Sequence, residues 1–243
     1  MLNVIINGAN GKMGQEAVKA VENDPNLILV AKTDINDNLA EIITGSKSNI
    51  VVDLTHPSCV FENCKTILNN NNHAVVGTTG LTQDQLKELE TIAKKQSKTI
   101  IICPNFAISA ILMMRFAQEA AKFMDRCEII EYHHDKKADA PSGTAIKTAQ
   151  LINENNETIN TETLNEDELI PGSRGAIVNN IPIHAIRIPG VVANQEVIFG
   201  TTGQSLTVRH DTISREAFMP GLIIAIKATS SHEGLIYGLE KII

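Results

Sequence analysis

The chain has 243 residues, a net charge of −7 and 43% hydrophobic residues. It is long and apolar enough to bury a core without disulfide staples, and too acidic, with no Lys/Arg stripe, for a nucleic-acid surface. No apolar run reaches the roughly eighteen residues of a membrane span, and the sequence begins directly with a strand pattern rather than a charged and then apolar leader, which predicts a cytoplasmic protein. Cys59, Cys64, Cys103 and Cys127 lack zinc or redox spacing and are expected as four reduced thiols.

The first predicted strand, Leu2 to Asn7, runs into Gly8-Ala9-Asn10-Gly11-Lys12-Met13-Gly14 and then into helical spacing from Gln15 to Glu22. Strand, glycine turn and helix make a phosphate-binding geometry. Gly8 permits the turn, Gly11 lets the backbone approach a pyrophosphate, and Gly14 lets the helix pack close to the sheet, although the spacing is G-x-x-G-x-x-G rather than G-x-G-x-x-G. Asp24-Pro25-Asn26 stops the helix and Leu27 to Lys32 forms a second strand. Asp34 follows about twenty residues after the last glycine, where an acid can hold the adenosine ribose hydroxyls.

Asn49 to Leu54 reads as a buried strand ending at Thr55-His56-Pro57, Cys59 to Asn69 as a helix, and Ala74 to Val76 as a strand ending at Gly77-Thr78-Thr79-Gly80. Leu81 to Lys95 reads as a helix capped by Thr82, and Thr99 to Cys103 as a strand ending at Pro104-Asn105-Phe106-Ala107. In a parallel sheet the loops at the carboxyl ends of the strands line one crevice. Gly8 to Met13, Asp34, Thr55, Gly77 to Thr79 and Cys103 to Phe106 are therefore expected to face a common dinucleotide.

The pattern changes after Ile108. Ser109 to Met124 is a long predicted helix with Met113, Met114 and Phe116 assigned to the core, and Glu128 to Ile130 is a short strand. Then comes Glu131-Tyr132-His133-His134-Asp135-Lys136-Lys137-Ala138-Asp139-Ala140-Pro141-Ser142-Gly143-Thr144-Ala145, with a helix from Thr144 to Leu151. Two imidazoles and two ammonium groups thus sit where a strand ends and a helix begins. Free N–H groups at the helix start can bind a carboxylate, Lys137 can add a positive charge beside them, and a His next to a cation releases its proton readily. The cluster predicts an acid catalyst beside a carboxylate pocket. No metal is expected, since adjacent His side chains diverge on an extended chain and no third ligand has suitable spacing.

A polar stretch from Asn153 to Asp167 is expected as a solvated excursion. Ile181 to Ile188, Gln195 to Gly200 and Ser205 to His210 read as antiparallel strands joined by turns at Gly190 and Gly203, and Phe218 to Ser230 as a helix. The expected architecture is α/β. A Rossmann-like dinucleotide-binding domain (1–107 and 216–243) carries an α+β substrate and oligomerisation domain (108–215) with a mainly antiparallel open sheet.

The run from Glu131 to Ala145 matches, without a gap, the signature E-x-H-H-x-x-K-x-D-A-P-S-G-T-A of the 4-hydroxy-tetrahydrodipicolinate (dihydrodipicolinate) reductase family of the diaminopimelate route to lysine. The chain also resembles that family at Gly8 to Gly14, Gly77 to Gly80, Pro104 to Phe106 and Ser214 to Phe218, in the family order and over nearly its whole length. The resemblance implies His133 as proton donor assisted by Lys137, with His134, Ser142, Gly143, Thr144 and Arg215 contacting a cyclic imine that bears two carboxylates. It further implies NADPH or NADH as cofactor and a homotetramer. Ile35 stands where relatives that favour NADPH can carry Arg, while Lys12 or Lys32 can face a 2′-phosphate, so use of both nucleotides is expected. Ala107 replaces the family's usual Ser, and the segment between Asp34 and Asp53 is short, which predicts an abbreviated crossover. Two other readings fit the nucleotide loops: a dinucleotide-sensing regulatory protein, which has no need of the His133 and Lys137 set, and another two-domain NAD(P)-dependent dehydrogenase, which would call for a central Cys or a differently placed Lys.

Overall fold

The first hundred residues repeat one motif, an apolar strand followed by a short turn and an amphipathic helix, and a strand with both faces apolar is stable only when helices cover both. The structure, a computed structural model, describes residues 1–162 and 167–243. In chain order the elements are β1 (Leu2–Asn7), α1 (Lys12–Asn23), β2 (Leu27–Thr33), α2 (Leu39–Ser46), β3 (Ile50–Asp53), α3 (Val60–Asn69), β4 (His73–Val76), α4 (Gln83–Lys95) and β5 (Thr99–Ile102). There follow α5 (Ile108–Ala121), β6 (Arg126–His133), α6 (Gly143–Asn155), β7 (Ala176–Val178), β8 (Ile181–Arg187), β9 (Ala193–Thr201), β10 (Gln204–Thr212), α7 (Met219–Ala228) and β11 (Gly234–Tyr237). The chain divides into two compact units, one of Met1–Ile108 with Arg215–Ile243 and one of Ser109–Ser214.

The first unit is built on a six-stranded sheet in the order β11-β5-β4-β3-β1-β2, with every neighbouring pair parallel. All residues of β3 and β5 are buried, as a sheet covered on both faces requires. One core cluster gathers Ile5, Val51, Val76 and Ile100 from the strands with Cys64, Ile67 and Leu89 from the helices. The chain goes from β1 to β2 on one side and then returns to β3 on the other, so the crevice between the carboxyl ends of β1 and β3 is the topological switch point where such sheets bind ligands. The short crossover between Asp34 and Asp53 holds the eight-residue helix α2, capped by Asn38 accepting from the Glu41 N–H. Thr82 caps α4 in a full capping box with Gln85. The sequence reading took the C-terminal segment only as a helix; the structure adds β11, whose Gly-Leu-Ile-Tyr extends the sheet beside β5. Four residues with one turn-forming glycine gave too short an apolar run to separate from the preceding helix.

In the second unit a five-stranded sheet runs β10-β9-β6-β8-β7. This corrects the expectation of a mainly antiparallel sheet in which the three late strands are successive neighbours. The sheet is mixed: β6 pairs parallel with β8 and antiparallel with β9, while β9 and β10, and β7 and β8, are antiparallel. The segment from β6 to β8 contains α6, and a helical crossover of that length returns the chain in the same direction. β6 therefore stands between β8 and β9, and the Gly190 turn joins strands that do not pair. Gly203 does close the β9–β10 hairpin, with φ of +76°. β7 was absent from the sequence reading; Asn179 and Asn180, at φ of 49° and 64°, supply the two left-handed positions of its tight hairpin to β8.

Helices α5 and α6 cover one face of this sheet, packing Met113, Ala117, Ala121, Ala145, Ala149 and Ile152 on Cys127, Ile129, Ile183, Val197 and Phe199. Phe116 does not join them and is 54% exposed, a correction to its core assignment. Ala110, Met113, Ala117 and Ala121 define the buried stripe of α5, and Phe116 falls beyond its edge. The polar stretch after α6 is also less solvated than its composition implied. Ile159 is fully buried. Asn156 Nδ2 donates to the Ala121 carbonyl at 2.8 Å, and Asn160 exchanges bonds with the Cys127 N–H and C=O at 2.9 and 2.7 Å. Residues 163–166 of that stretch lie outside the described residues. Among those described, no helix is long and apolar enough to cross a membrane.

Candidate active site

The nucleotide-binding residues predicted from sequence fall into two crevices of the first unit. One, of about 340 Å³, is lined by Gly8, Gly11, Asp34 and Thr55 together with Asn7, Ile35, Asp37, His56, Cys59 and Asn63. The other, of about 350 Å³, is lined by Met13, Gly77, Thr78, Thr79, Cys103, Pro104, Asn105 and Phe106, and shares Leu54 and Thr55 with the first. Ala9 is buried and lines neither. Asn10 acts through its backbone, donating its N–H to Asp34 Oδ2 at 2.9 Å, and Lys12 is the exposed first residue of α1.

These residues fit a dinucleotide. Gly8 has φ of +85°, and a side chain there would also strike the Leu54 carbonyl. A Cβ on Gly14 would collide with the Gly8 carbonyl oxygen, so helix α1 can start this close to the turn only without one. Gly11 caps α1 with no side-chain bond and no acid lies in the first turn, which leaves the helix N–H groups and dipole to an anion such as pyrophosphate. Asp34 accepts from the backbone N–H groups of Ile35 and Asn10 at 2.8 and 2.9 Å, and these bonds hold its carboxyl below the usual range. Each oxygen keeps acceptor capacity for a ribose hydroxyl. The Cys103 thiol is pushed up to about 12 by burial, with the Glu240 charge adding to it, so its place in the crevice is that of an apolar wall.

What fixes these loops was not visible in the sequence reading. Asp53, the last residue of β3, is wholly buried. Asn7 and Asn63 donate to its Oδ2 at 2.9 and 2.8 Å, while the hydroxyls of Thr55 and Thr78 donate to Oδ1 at 2.8 and 2.9 Å. Asn7 Oδ1 in turn accepts from Thr33 Oγ1 at 2.9 Å. One carboxylate thus ties together the ends of β1, β3 and β4, with β2 joined through Asn7. The hydroxyl of Thr78, expected toward the ligand, is spent on this network. An acid closing an otherwise apolar, wholly buried strand was the available signal.

The second group of predicted residues lies in the second unit. His133 ends β6 and His134 begins the loop. His133 Nδ1 meets Glu131 Oε2 at 2.5 Å. Glu131 is fully buried, and its two oxygens also accept two 2.8 Å bonds from Arg187 and one of 3.0 Å from the Ser142 N–H. Burial would raise this carboxyl, but the His133, Arg187 and Ser142 bonds overcome it and hold the group at about 2. Ser142 caps α6, its hydroxyl accepting from the Ala145 N–H at 3.2 Å, and helix geometry leaves the N–H groups of Gly143 and Thr144 without intrahelical acceptors. Among the described residues, nothing beyond its chain neighbours and its own helix backbone lies within 4 Å of where a Gly143 Cβ would be, so a ligand can reach this backbone directly.

Two expectations change. Lys137 does not stand against the helix start as a bare charge: its Nζ pairs with Asp139 at 2.6 and 2.7 Å. The charge against His133 is the Glu131 carboxylate rather than a lysine. Arg187 was missed altogether, because only the parallel register of β6 on β8 sets it opposite His133. Arg215 begins the segment that returns to the first unit, away in the chain from the other residues assigned to the substrate.

A parallel sheet with a dinucleotide cradle at its switch point, and a second unit in which one carboxylate binds both a strand-end histidine and the start of a helix, define the class as two-unit dinucleotide-dependent oxidoreductases. Comparison with known proteins narrows the class. The model described as "Dihydrodipicolinate reductase, N-terminus" matches residues 2–106, and that described as "Dihydrodipicolinate reductase, C-terminus" matches residues 109–243. The chain belongs to the dihydrodipicolinate reductase family. It is 45% identical to the 4-hydroxy-tetrahydrodipicolinate reductase of Listeria monocytogenes serotype 4b, with all of both chains covered. To that of Mycobacterium marinum it is also 45% identical, over all of this chain and 99% of the other. A solved structure of dipicolinate-bound dihydrodipicolinate reductase from Paenisporosarcina sp. TG-14 matches with a TM-score of 0.91 and 42% identity, again over the whole of both chains.

Proposed function

We propose that this protein reduces 4-hydroxy-tetrahydrodipicolinate to tetrahydrodipicolinate with loss of water, in the diaminopimelate pathway to lysine, with NADH or NADPH as reductant. The observation that carries the proposal is the pair of hydrogen bonds that Glu131 accepts, one from His133 and one from the Ser142 N–H. It fixes a proton donor and an anion-binding helix start on one carboxylate, as a substrate with carboxylates beside the reacting carbons requires.

Gly8, Gly11, Lys12 and Met13 would hold the pyrophosphate, Asp34 the adenosine ribose, and the loops Gly77 to Thr79 and Cys103 to Phe106 the nicotinamide, with Ala9, Asn10 and Thr55 shaping the turn. When bound, the dinucleotide supplies the hydride that the reduction needs at C4 of the conjugated imine. His133 delivers a proton to C3 from Nε2. Gly143 and Thr144 donate their N–H groups to one substrate carboxylate, Ser142 holds the turn, and His134 and Lys137 line the same loop; the family resemblance adds Arg215 as a further carboxylate contact. Lys137 can serve by exchanging Asp139 for substrate.

Both nucleotides are accepted, with NADH favoured. Asp34 and Asp37 both line the adenosine crevice and repel a 2′-phosphate, and the exposed Ile35 brings no guanidinium. The exposed Lys12 and Lys32 are point charges rather than forks. The assembly is a homotetramer in the cytoplasm; β7 and β10 are edge strands and carry the exposed Ile177 and Leu206, an arrangement that calls for cover.

The test is oxidation of NADH and of NADPH with freshly generated cyclic substrate. Turnover with both, at kcat/KM values within about thirtyfold of each other, is the expected result, tenfold being about 1.4 kcal/mol. Absence of turnover with either refutes the activity, and a preference above about a thousandfold refutes dual use. Light scattering at micromolar concentration checks the tetramer.

A further inference from the structure

Glu131 and His133 are two residues apart on β6, so their side chains leave the same face of the strand. That face is the buried one, and a carboxylate at such depth is tolerated only when its oxygens are matched by donors and charge. Arg187 supplies both with a two-pronged contact, NH1 to Oε2 and NH2 to Oε1, each 2.8 Å. Its NH2 also donates to the Asp139 carbonyl at 2.8 Å, so the same guanidinium anchors the loop beyond the histidine. An ionised carboxylate can only accept. The atom of His133 that meets it, Nδ1, must therefore be the protonated one, and Nε2 is left as the nitrogen that can carry a transferable proton.

We propose that the Glu131–Arg187 pair is the positioning device of the reaction: it locks His133 in the Nδ1–H tautomer and holds its ring and the Ser142 turn in one fixed arrangement. The catalytic half rests on His133 as the acid; the tautomer half does not. In the transfer, the Nε2–H bond of the imidazolium breaks and its electron pair stays on Nε2, while the electron pair at substrate C3 forms the new C–H bond. The imidazole that remains is the neutral Nδ1–H form, the one Glu131 already holds, so no ring rotation or second proton movement is needed.

The groups facing this pair are few. From β6 come Glu131 and His133, from β8 Arg187, and from the start of α6 the Ser142 N–H. Opposite Glu131 on β9 lies Gln195, neutral and donating to Thr148 of α6 at 2.8 Å. In the loop, the Lys137 charge is matched by Asp139. Arg187 keeps Glu131 ionised against this background, which prevents the carboxylate from taking the imidazole proton for itself.

The experiment uses the full-length protein with 15N-labelled histidine, reading the ring shifts of His133 in wild type, Glu131→Gln and Glu131→Asp, with kcat and the dinucleotide KM measured for each. Wild type is expected in the Nδ1–H tautomer. In Glu131→Gln the tautomer should move toward Nε2–H, and kcat should fall at least tenfold with the dinucleotide KM unchanged. Glu131→Asp keeps the charge against Arg187 but shortens the reach to His133. It should loosen the tautomer with a smaller fall in kcat, and it serves if Glu131→Gln does not fold. An unchanged tautomer in the folded variants overturns the proposal. A changed tautomer with an unchanged kcat overturns its catalytic half; if His133→Gln is then also active, the acid assignment has failed and not the pair.

Discussion

Each unit contains, among the described residues, one wholly buried carboxylate near the end of a central strand, and the two are satisfied in opposite ways. Among the described residues, Asp53 in the first unit receives bonds from neutral donors alone, the side chains of Asn7, Asn63, Thr55 and Thr78 and the Thr55 backbone N–H. Glu131 in the second receives a guanidinium, an imidazole and one backbone N–H. Neutral donors drawn from several loops fix backbone geometry while leaving the carboxylate's charge uncompensated, so Asp53 is a brace for the loops around the crevice. A cationic fork does the reverse. It matches the Glu131 charge with the Arg187 guanidinium and holds the carboxylate in one place against the His133 ring.

The largest effect is expected where the two readings part most clearly, at the acid itself. His133→Gln should lower kcat by roughly 10²–10⁴-fold, the span of general acid catalysis, with dinucleotide affinity unchanged by fluorescence titration. Near-normal turnover would remove the functional half of the comparison.

Acid titration sharpens the electrostatic half. Glu131 is held at about 2 against an ordinary value of 4.5, a difference that corresponds to about 3 kcal/mol of folding stability. Because the folded state depresses this carboxyl, the unfolded chain takes up the proton first. The stabilisation is complete above about pH 4.5 and is lost as the pH falls toward about 2. The stability gap between wild type and Glu131→Gln, from denaturant midpoints, should therefore narrow across that window; a gap independent of pH would deny the depressed carboxyl.

A smaller effect is expected from Asp53→Asn. The new Oδ1 can still accept from Thr55 and Thr78, but its NH₂ would face the amide groups of Asn7 and Asn63, leaving buried donors unmatched at about 1–3 kcal/mol. Urea denaturation should register that loss together with weakened binding of both nucleotides, and unaltered binding would show that the network does not set the loops. The smallest effect should come from Lys12→Ala, a surface charge worth roughly 1 kcal/mol or less. It should weaken NADPH more than NADH, and equal losses would assign Lys12 to the pyrophosphate or the loop instead.

The sequence by itself indicated most of the elements, though not β7 or β11, and most of the loops that line the two crevices. Gly8, Gly11 and Gly14 have roles that follow from the absence of a Cβ, Thr82 and Ser142 cap helices through local bonds, and Glu128 to Ile130 marks the strand that the structure extends to Arg126–His133. Such effects act within a few residues and leave a pattern in the chain. What tertiary structure decided is which strands became neighbours. Nothing local says that β8 lies parallel beside β6, yet that pairing puts Arg187 opposite His133 and brings its guanidinium onto Glu131, the carboxylate two residues before the histidine on the same strand. The same holds for Asp53, whose donors come from residues 7, 55, 63 and 78. A buried charge takes its partners from whatever packing brings within about 3 Å, and at that range register and crossover outweigh proximity along the chain.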